Sequence, residues 1–138
     1  MKHIKLFEQF LNEDIGKPPG GEYEVNWLHD MVMQGKKDLH FLVTKHPMVN
    51  TWREIELLNI YENMPDFDIL KVNKKDGDAW IAYRNTSAGK KKAKRLKEIA
   101  DSHDGYLNDK TPDEAREIGK LLDYNPGDTE NYIKRRYN

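Results

Sequence analysis

The feature that most constrains this chain is an Asp76-Gly77 pair set between two β-rich runs. Asp-Gly in that position is the strongest short-range signal of a hairpin. The runs are Phe67 to Val72 and Ala79 to Tyr83, with Asn73 to Asp78 between them. An antiparallel pair of this length needs covering layers, so helices must pack on it. Leu39-His40-Phe41-Leu42-Val43-Thr44, bounded by Gly35 and Pro47, suits a third, buried strand, although periodicity alone does not exclude a helix there.

The remaining segments read as helices. Trp27, Leu28, Met31 and Val32 recur at helical spacing within Glu22 to Gln34, with Asn26 as N-cap and Gly35 as stop. Thr51-Trp52-Arg53-Glu54 has the form of a capping box. Trp52, Ile55, Leu58 and Tyr61 follow as a stripe thickened by Leu57 and Ile60, and Pro65 ends it; this most apolar helix is expected to sit in the core. Ser87 can cap a helix that buries Leu96, Ile99 and Ala100 and ends at Gly105. Thr111-Pro112-Asp113-Glu114 starts another, with Ala115, Ile118, Leu121 and Leu122 inward. After a turn at Tyr124 to Asp128, capped by Asp128 or Asn125, a last helix carries Tyr132, Ile133 and Tyr137.

The expected fold is therefore α+β: a small antiparallel sheet of about three strands packed by helices, with a helical C-terminal third. At 138 residues, 37% hydrophobic and 34% charged, the chain has material for one domain with a modest core. Residues 1–13 form an N-terminal amphipathic segment, 14–21 a linker and 22–138 a single domain whose helical part is 86–138. With no cysteine there are no disulfides, thiolate zinc sites or cysteine nucleophiles. No apolar run approaches the ~20 residues of a membrane span. A net charge of −1 argues against nucleic-acid binding by the whole surface, but not against a local patch.

In Met1 to Glu13, Ile4, Phe7, Phe10 and Leu11 recur at helical spacing as one apolar stripe. Gly16-Lys17-Pro18-Pro19-Gly20-Gly21 then breaks any helix. Glu8 and Gln9 interrupt the apolar core that a secretion signal requires, and the segment is too acidic for a mitochondrial presequence. Met1-Lys2, Phe7, Phe10-Leu11 and Glu13 together resemble the capsid-targeting propeptides of internal head proteins of T-even-type tailed phages. Those propeptides end in Leu/Ile-x-Glu, matched here by Leu11-Asn12-Glu13; Asp14 departs from the small residue that usually follows. The resemblance covers about a tenth of the chain. It implies that Phe7, Phe10 and Leu11 dock on the head scaffold and that a prohead protease reads Leu11 and Glu13. It also implies a location in the virion interior and then the host cytoplasm. The alternatives are an N-terminal helix docked on its own domain, or one that binds a partner.

From Arg84 to Glu98 there are seven basic residues and one acid. Lys90, Lys91, Lys92, Lys94 and Arg95 could sit on phosphates, although such a run is commonly a solvated helix face. Lysine near a helix N-terminus opposes the macrodipole, which hints at another use. Ala115, Leu121 and Ile133 resemble the packing positions of a helix-turn-helix, with Lys134, Arg135 and Arg136 as further contacts. Asp128 and Glu130, however, occupy the start of its would-be recognition helix. A plain helical hairpin is the alternative.

No catalytic signature is present. None of His3, His29, His40, His46 and His103 forms an i, i+4 metal pair, and only a shared strand face could join His40 and His46. Tyr23, Trp27, His29, Arg53, Tyr83 and Arg84 are the ingredients of a phosphate or nucleotide site, should the fold bring them together. The expected function is that of a non-enzymatic phage accessory protein with no cofactor or metal, binding a host protein or DNA after delivery. A DNA-binding regulator using residues 111–138, or a small enzyme of unrecognised class, are the alternatives.

Overall fold

The structure is a computed structural model and describes residues 22–137, with side chains from Val25 onward. The elements are α1 (Glu22–Met33), β1 (Leu39–Lys45), α2 (Trp52–Glu62), β2 (Phe67–Val72), β3 (Asp78–Arg84), α3 (Ser87–Asp101), α4 (Pro112–Leu121) and α5 (Pro126–Tyr137). The strands form one antiparallel sheet in the order β1-β3-β2. This is the α+β architecture expected, with its helical C-terminal part. Among the described residues no helix is long and apolar enough to cross a membrane.

The sheet divides the molecule into two cores. Side chains alternate across a strand, so Leu39, Phe41, Val72, Ala79 and Ile81 face α3, α4 and α5. Leu42, Phe67 and Ala82 face α1 and α2, where they meet Val32, Leu57, Leu58 and Tyr61. The middle strand has fully buried residues on both faces, Ala79 and Ile81 on one and Ala82 on the other. Ile81 lies between Phe41 of β1 and Leu70 of β2.

The hairpin is where the sequence places it, but Gly77 serves another purpose than a positive backbone angle. Only Gly35 and Gly105 among the described glycines have positive φ. A Cβ at Gly77 would lie 2.1 Å from the Lys45 carbonyl oxygen, at the end of β1 where the pairing register slips between Val43 and Lys45. The five-residue connection thus crosses β1 more closely than any side chain permits.

Several caps differ from expectation. Helix α1 starts at Glu22, which leaves Asn26 inside it; Asn26 Oδ1 instead accepts from Arg53 Nε at 2.7 Å. Thr51 makes no side-chain cap, because its hydroxyl donates to the Thr44 carbonyl at 2.7 Å, and Asn50 Oδ1 accepts from Trp52 N–H in its place. Thr86 rather than Ser87 caps α3, by accepting from Gly89 N–H at 3.0 Å. Thr111 caps α4 as expected, while the Glu114 carboxylate reaches Lys110 N–H, one residue short of the capping-box position. Asn125 receives Gly127 N–H at the start of α5.

Helix α2 is also less buried than its composition suggests. Leu57, Leu58 and Tyr61 go inward, whereas Trp52, Ile55 and Ile60 face solvent. A sheet covers only one side of a helix, so apolar residues spread around α2 cannot all be sealed.

Truncation of Ile81 to Ala should cost about 2–5 kcal/mol, since the gap opens where both flanking strands hold their neighbours in place. Urea unfolding checks this; a loss below about 1 kcal/mol, the range of well-tolerated core changes, would mean that β3 is not the packed centre.

Candidate functional site

The residues proposed from sequence as a phosphate or nucleotide site are split by the sheet. Tyr83 packs against the C-terminal core, while neighbouring Arg84 points to the other face. There the Arg84 guanidinium lies over the Phe67 ring, donates to the Val32 carbonyl at 2.6 Å and reaches Asp38 at 3.5 Å. Arg53 joins α2 to α1 through Asn26. His29 joins the same helices through Tyr61, and Trp27 is half-buried on α1. The Tyr23 side chain lies outside the described ones. These arginines hold elements together and do not converge on a cavity.

Two histidines do converge, although sequence spacing gave no sign of it. His29 Nδ1 of α1 and His40 Nδ1 of β1 each lie 2.9 Å from the Tyr61 hydroxyl of α2. Both rings stand edge-on to Tyr61, with centroids 5.2 and 5.8 Å away. One hydroxyl has one proton, so it donates to one ring and accepts from the other, which fixes opposite tautomers at the two Nδ1 atoms. Burial, with the nearby charges of His29 and Lys37 adding to it, pushes His40 down to about 3. Burial likewise lowers His29 and raises Tyr61. His40 Nε2 is buried without a hydrogen-bond partner. His46 stays apart from His40 and accepts Met48 N–H at 3.0 Å within its own turn.

The C-terminal helices are tied down by charge. Asp109, fully buried in the loop before α4, accepts from the Tyr132 and Tyr137 hydroxyls of α5 and pairs with Arg136 at 2.9 Å. His103 Nε2 meets Glu114 at 2.6 Å. Lys37 is buried, donates to the Leu122 carbonyl at 2.6 Å and lies 3.7 Å from the centre of the Tyr124 ring.

The basic run on α3 separates into two sets. Lys92 bridges Asp38 at 2.8 Å and Asp123 at 2.9 Å, and these hydrogen bonds raise its pKa against the opposing effect of desolvation. Asp123 adopts φ 58°, a left-handed conformation that aspartate tolerates. Arg95 grips Glu117 of α4 with two parallel bonds at 2.7 and 2.8 Å, which raise its pKa further. Lys90, Lys91 and Lys94 are exposed, and no carboxylate among the described residues pairs with them. They fall on one side of the helix within about 6 Å of axial rise. At the other end, Arg136 is engaged by Asp109, while Lys134 and Arg135 are exposed. Phe7, Phe10, Leu11 and Glu13 lie outside the described residues.

The helix-turn-helix reading meets a helical hairpin in which Ala115 and Ile133 are buried and Leu121 packs on the core. Glu130, near the start of α5, is held by Arg116 at 3.0 and 3.1 Å. The acid at the would-be recognition end is therefore built into the hairpin.

A cavity of about 400 Å³ lies at the β2–β3 turn, lined by Lys71, Lys74, Lys75, Asp78, Asp101 and Asp104 among others. Three lysines and three aspartates line it, so its charge favours neither an anion nor a cation. Among the described residues no group of three or more potential ligands is close enough to hold a metal. Comparison with protein-family models, with curated proteins and with solved structures finds no match.

Because folding lowers the pKa of His40, the unfolded chain binds the extra proton below about pH 6.5. Stability should therefore fall as the pH drops from about 6.5 towards 3. Denaturant midpoints measured across that window should fall more steeply for the natural chain than for His40→Gln; equal slopes would mean that His40 is not buried in its neutral form. Tyr61→Phe should cost about 1–3 kcal/mol by leaving both histidine nitrogens without a partner.

Proposed function

We propose that this chain is a non-enzymatic accessory protein carried in the head of a tailed phage by residues 1–13. Its body would bind DNA after delivery, through Lys90, Lys91 and Lys94. The observation that carries the DNA reading is the division of labour on α3. Two of its cations, the half-buried Lys92 and the exposed Arg95, are neutralised by Asp38, Asp123 and Glu117. The other three, Lys90, Lys91 and Lys94, are exposed on one side of the helix and, among the described residues, pair with no carboxylate. A helix gains nothing for its own stability from lysines in its first turns, where they oppose the macrodipole, and α3 has no acid there to offset them. Lysines so placed suit a sequence-independent grip on phosphates, in which counterion release drives association.

The carriage reading rests on the N-terminal sequence: the apolar stripe Ile4, Phe7, Phe10 and Leu11, the Leu11-Asn12-Glu13 triplet and the Pro/Gly linker behind it. Among the described residues, the two cores are built from Val25 onward.

Two measurements test the two halves. Intact-mass analysis of the protein from purified particles should show a chain beginning at Asp14; finding only chains that retain Met1, or none at all, removes the carriage reading. The triple change Lys90→Gln, Lys91→Gln and Lys94→Gln should weaken binding to duplex DNA of any sequence and flatten its salt dependence by about three units of log–log slope. An unchanged slope would show that α3 does not touch phosphate.

A further inference from the structure

The least sealed apolar surface of the body lies at the N-terminal end of α2. Met48 is 84% exposed, Val49 58%, Trp52 49% and Ile55 46%. Trp52 and Ile55 are one helical turn apart on α2, and Met48 and Val49 lie in the loop that leads directly into it, so four exposed apolar side chains fall within eight residues. Exposed apolar residues gathered in this way are candidates for a contact surface.

The fold also places the start of the body beside that patch. Thr51 at the head of α2 is bonded to Thr44 near the end of β1, while Tyr61 further along is bonded to His40 near its beginning. The tail of α1 lies at that same beginning, where the Val32 carbonyl receives Arg84 next to Asp38. Between α1 and α2 the contacts advance in the same direction, Asn26 to Arg53 and then His29 to Tyr61. Glu22, at the head of α1, therefore lies at the end of the molecule that carries Met48, Val49, Trp52 and Ile55. The 21 residues ahead of it enter the body there.

Those residues supply a matching surface. Ile4, Phe7, Phe10 and Leu11 make an apolar stripe eight residues long, about 12 Å if helical. The six residues from Gly16 to Gly21 reach at most about 20 Å, which keeps the stripe near the end of the molecule where α1 begins.

We infer that the patch formed by Met48, Val49, Trp52 and Ile55 is the resting site of the chain's own N-terminal segment, which lays Phe7, Phe10 and Leu11 on it. The tether makes the contact intramolecular, so a weak interface is held at an effective concentration in the millimolar range. A site on the surface, outside both cores, is one the segment can leave. The stripe is then shared between two alternative surfaces, the patch on its own body and an external partner, and the two compete for it. The inference does not depend on the phage reading: the segment can rest there whether or not a head scaffold is its other partner.

The absence of cysteine makes a direct test possible. A nitroxide attached to the full chain through Gln9→Cys, on the polar side of the stripe, should erase the amide signals of Met48 to Ile55 and spare those of α5. Adding Phe7→Ser and Phe10→Ser to the same labelled chain should restore them. Signals that stay intact in the labelled chain, or that fade equally over the whole body, overturn the inference. So does fading at the patch that appears only when nitroxide-labelled chains are mixed with isotope-labelled chains free of nitroxide, because the occupant is then a second copy. N-terminal processing in particles is read separately, so either result can fail while the other stands.

Discussion

The described layers are arranged around one central strand whose Ala79, Ile81 and Ala82 are fully buried. β3 lies between β1 and β2 and under helices on both faces: Ala79 and Ile81 belong to the core beneath α3 to α5, and Ala82 and Trp80 to the core beneath α1 and α2. A strand covered on both sides must find apolar partners in both directions, which recruits β1 from before the hairpin and the helices from after it. The long-range pairing of β1 with β3 then brings Asp38 under α3 and His40 against Tyr61.

That arrangement explains why so many charged and polar side chains are spent on holding layers together. Lys92, Arg95, Arg84 and Arg136 each tie a helix to a neighbour, and Lys37 and Asp109 are buried with their partners. With a modest apolar complement split between two cores, polar ties at the seams fix how the layers sit, a role for which they are better suited than for adding stability. What is left over, three lysines on α3 and an apolar patch on α2, is all the more conspicuous for standing outside this network.

The elements themselves were legible in the sequence, because hydrophobic periodicity and turn chemistry are local. Phe67 to Val72 and the capped start at Thr111 could be read directly. What escaped was decided by partners far away in the chain. Thr51 looked like a cap, but the Thr44 carbonyl competes for its hydroxyl. Trp52 and Ile55 looked like core, but the sheet selects the Leu57, Leu58 and Tyr61 side of α2. Lys92 and Arg95 looked equivalent to Lys90, and only the fold reveals that Asp38, 54 residues earlier, and Glu117, 22 residues later, claim them. The same distance hides the Tyr61 hydroxyl between His29 and His40 and sets Tyr83 apart from Arg84. A sequence can say that a side chain is able to pair, but seldom with whom.

The clamp on Asp109 bears on how the protein can be handled. Its carboxylate draws all three side-chain partners from the final turn and a half of α5, where Tyr132, Arg136 and Tyr137 sit. Trimming that turn, or splicing a purification handle into it, would strand a buried negative charge with nothing to balance it.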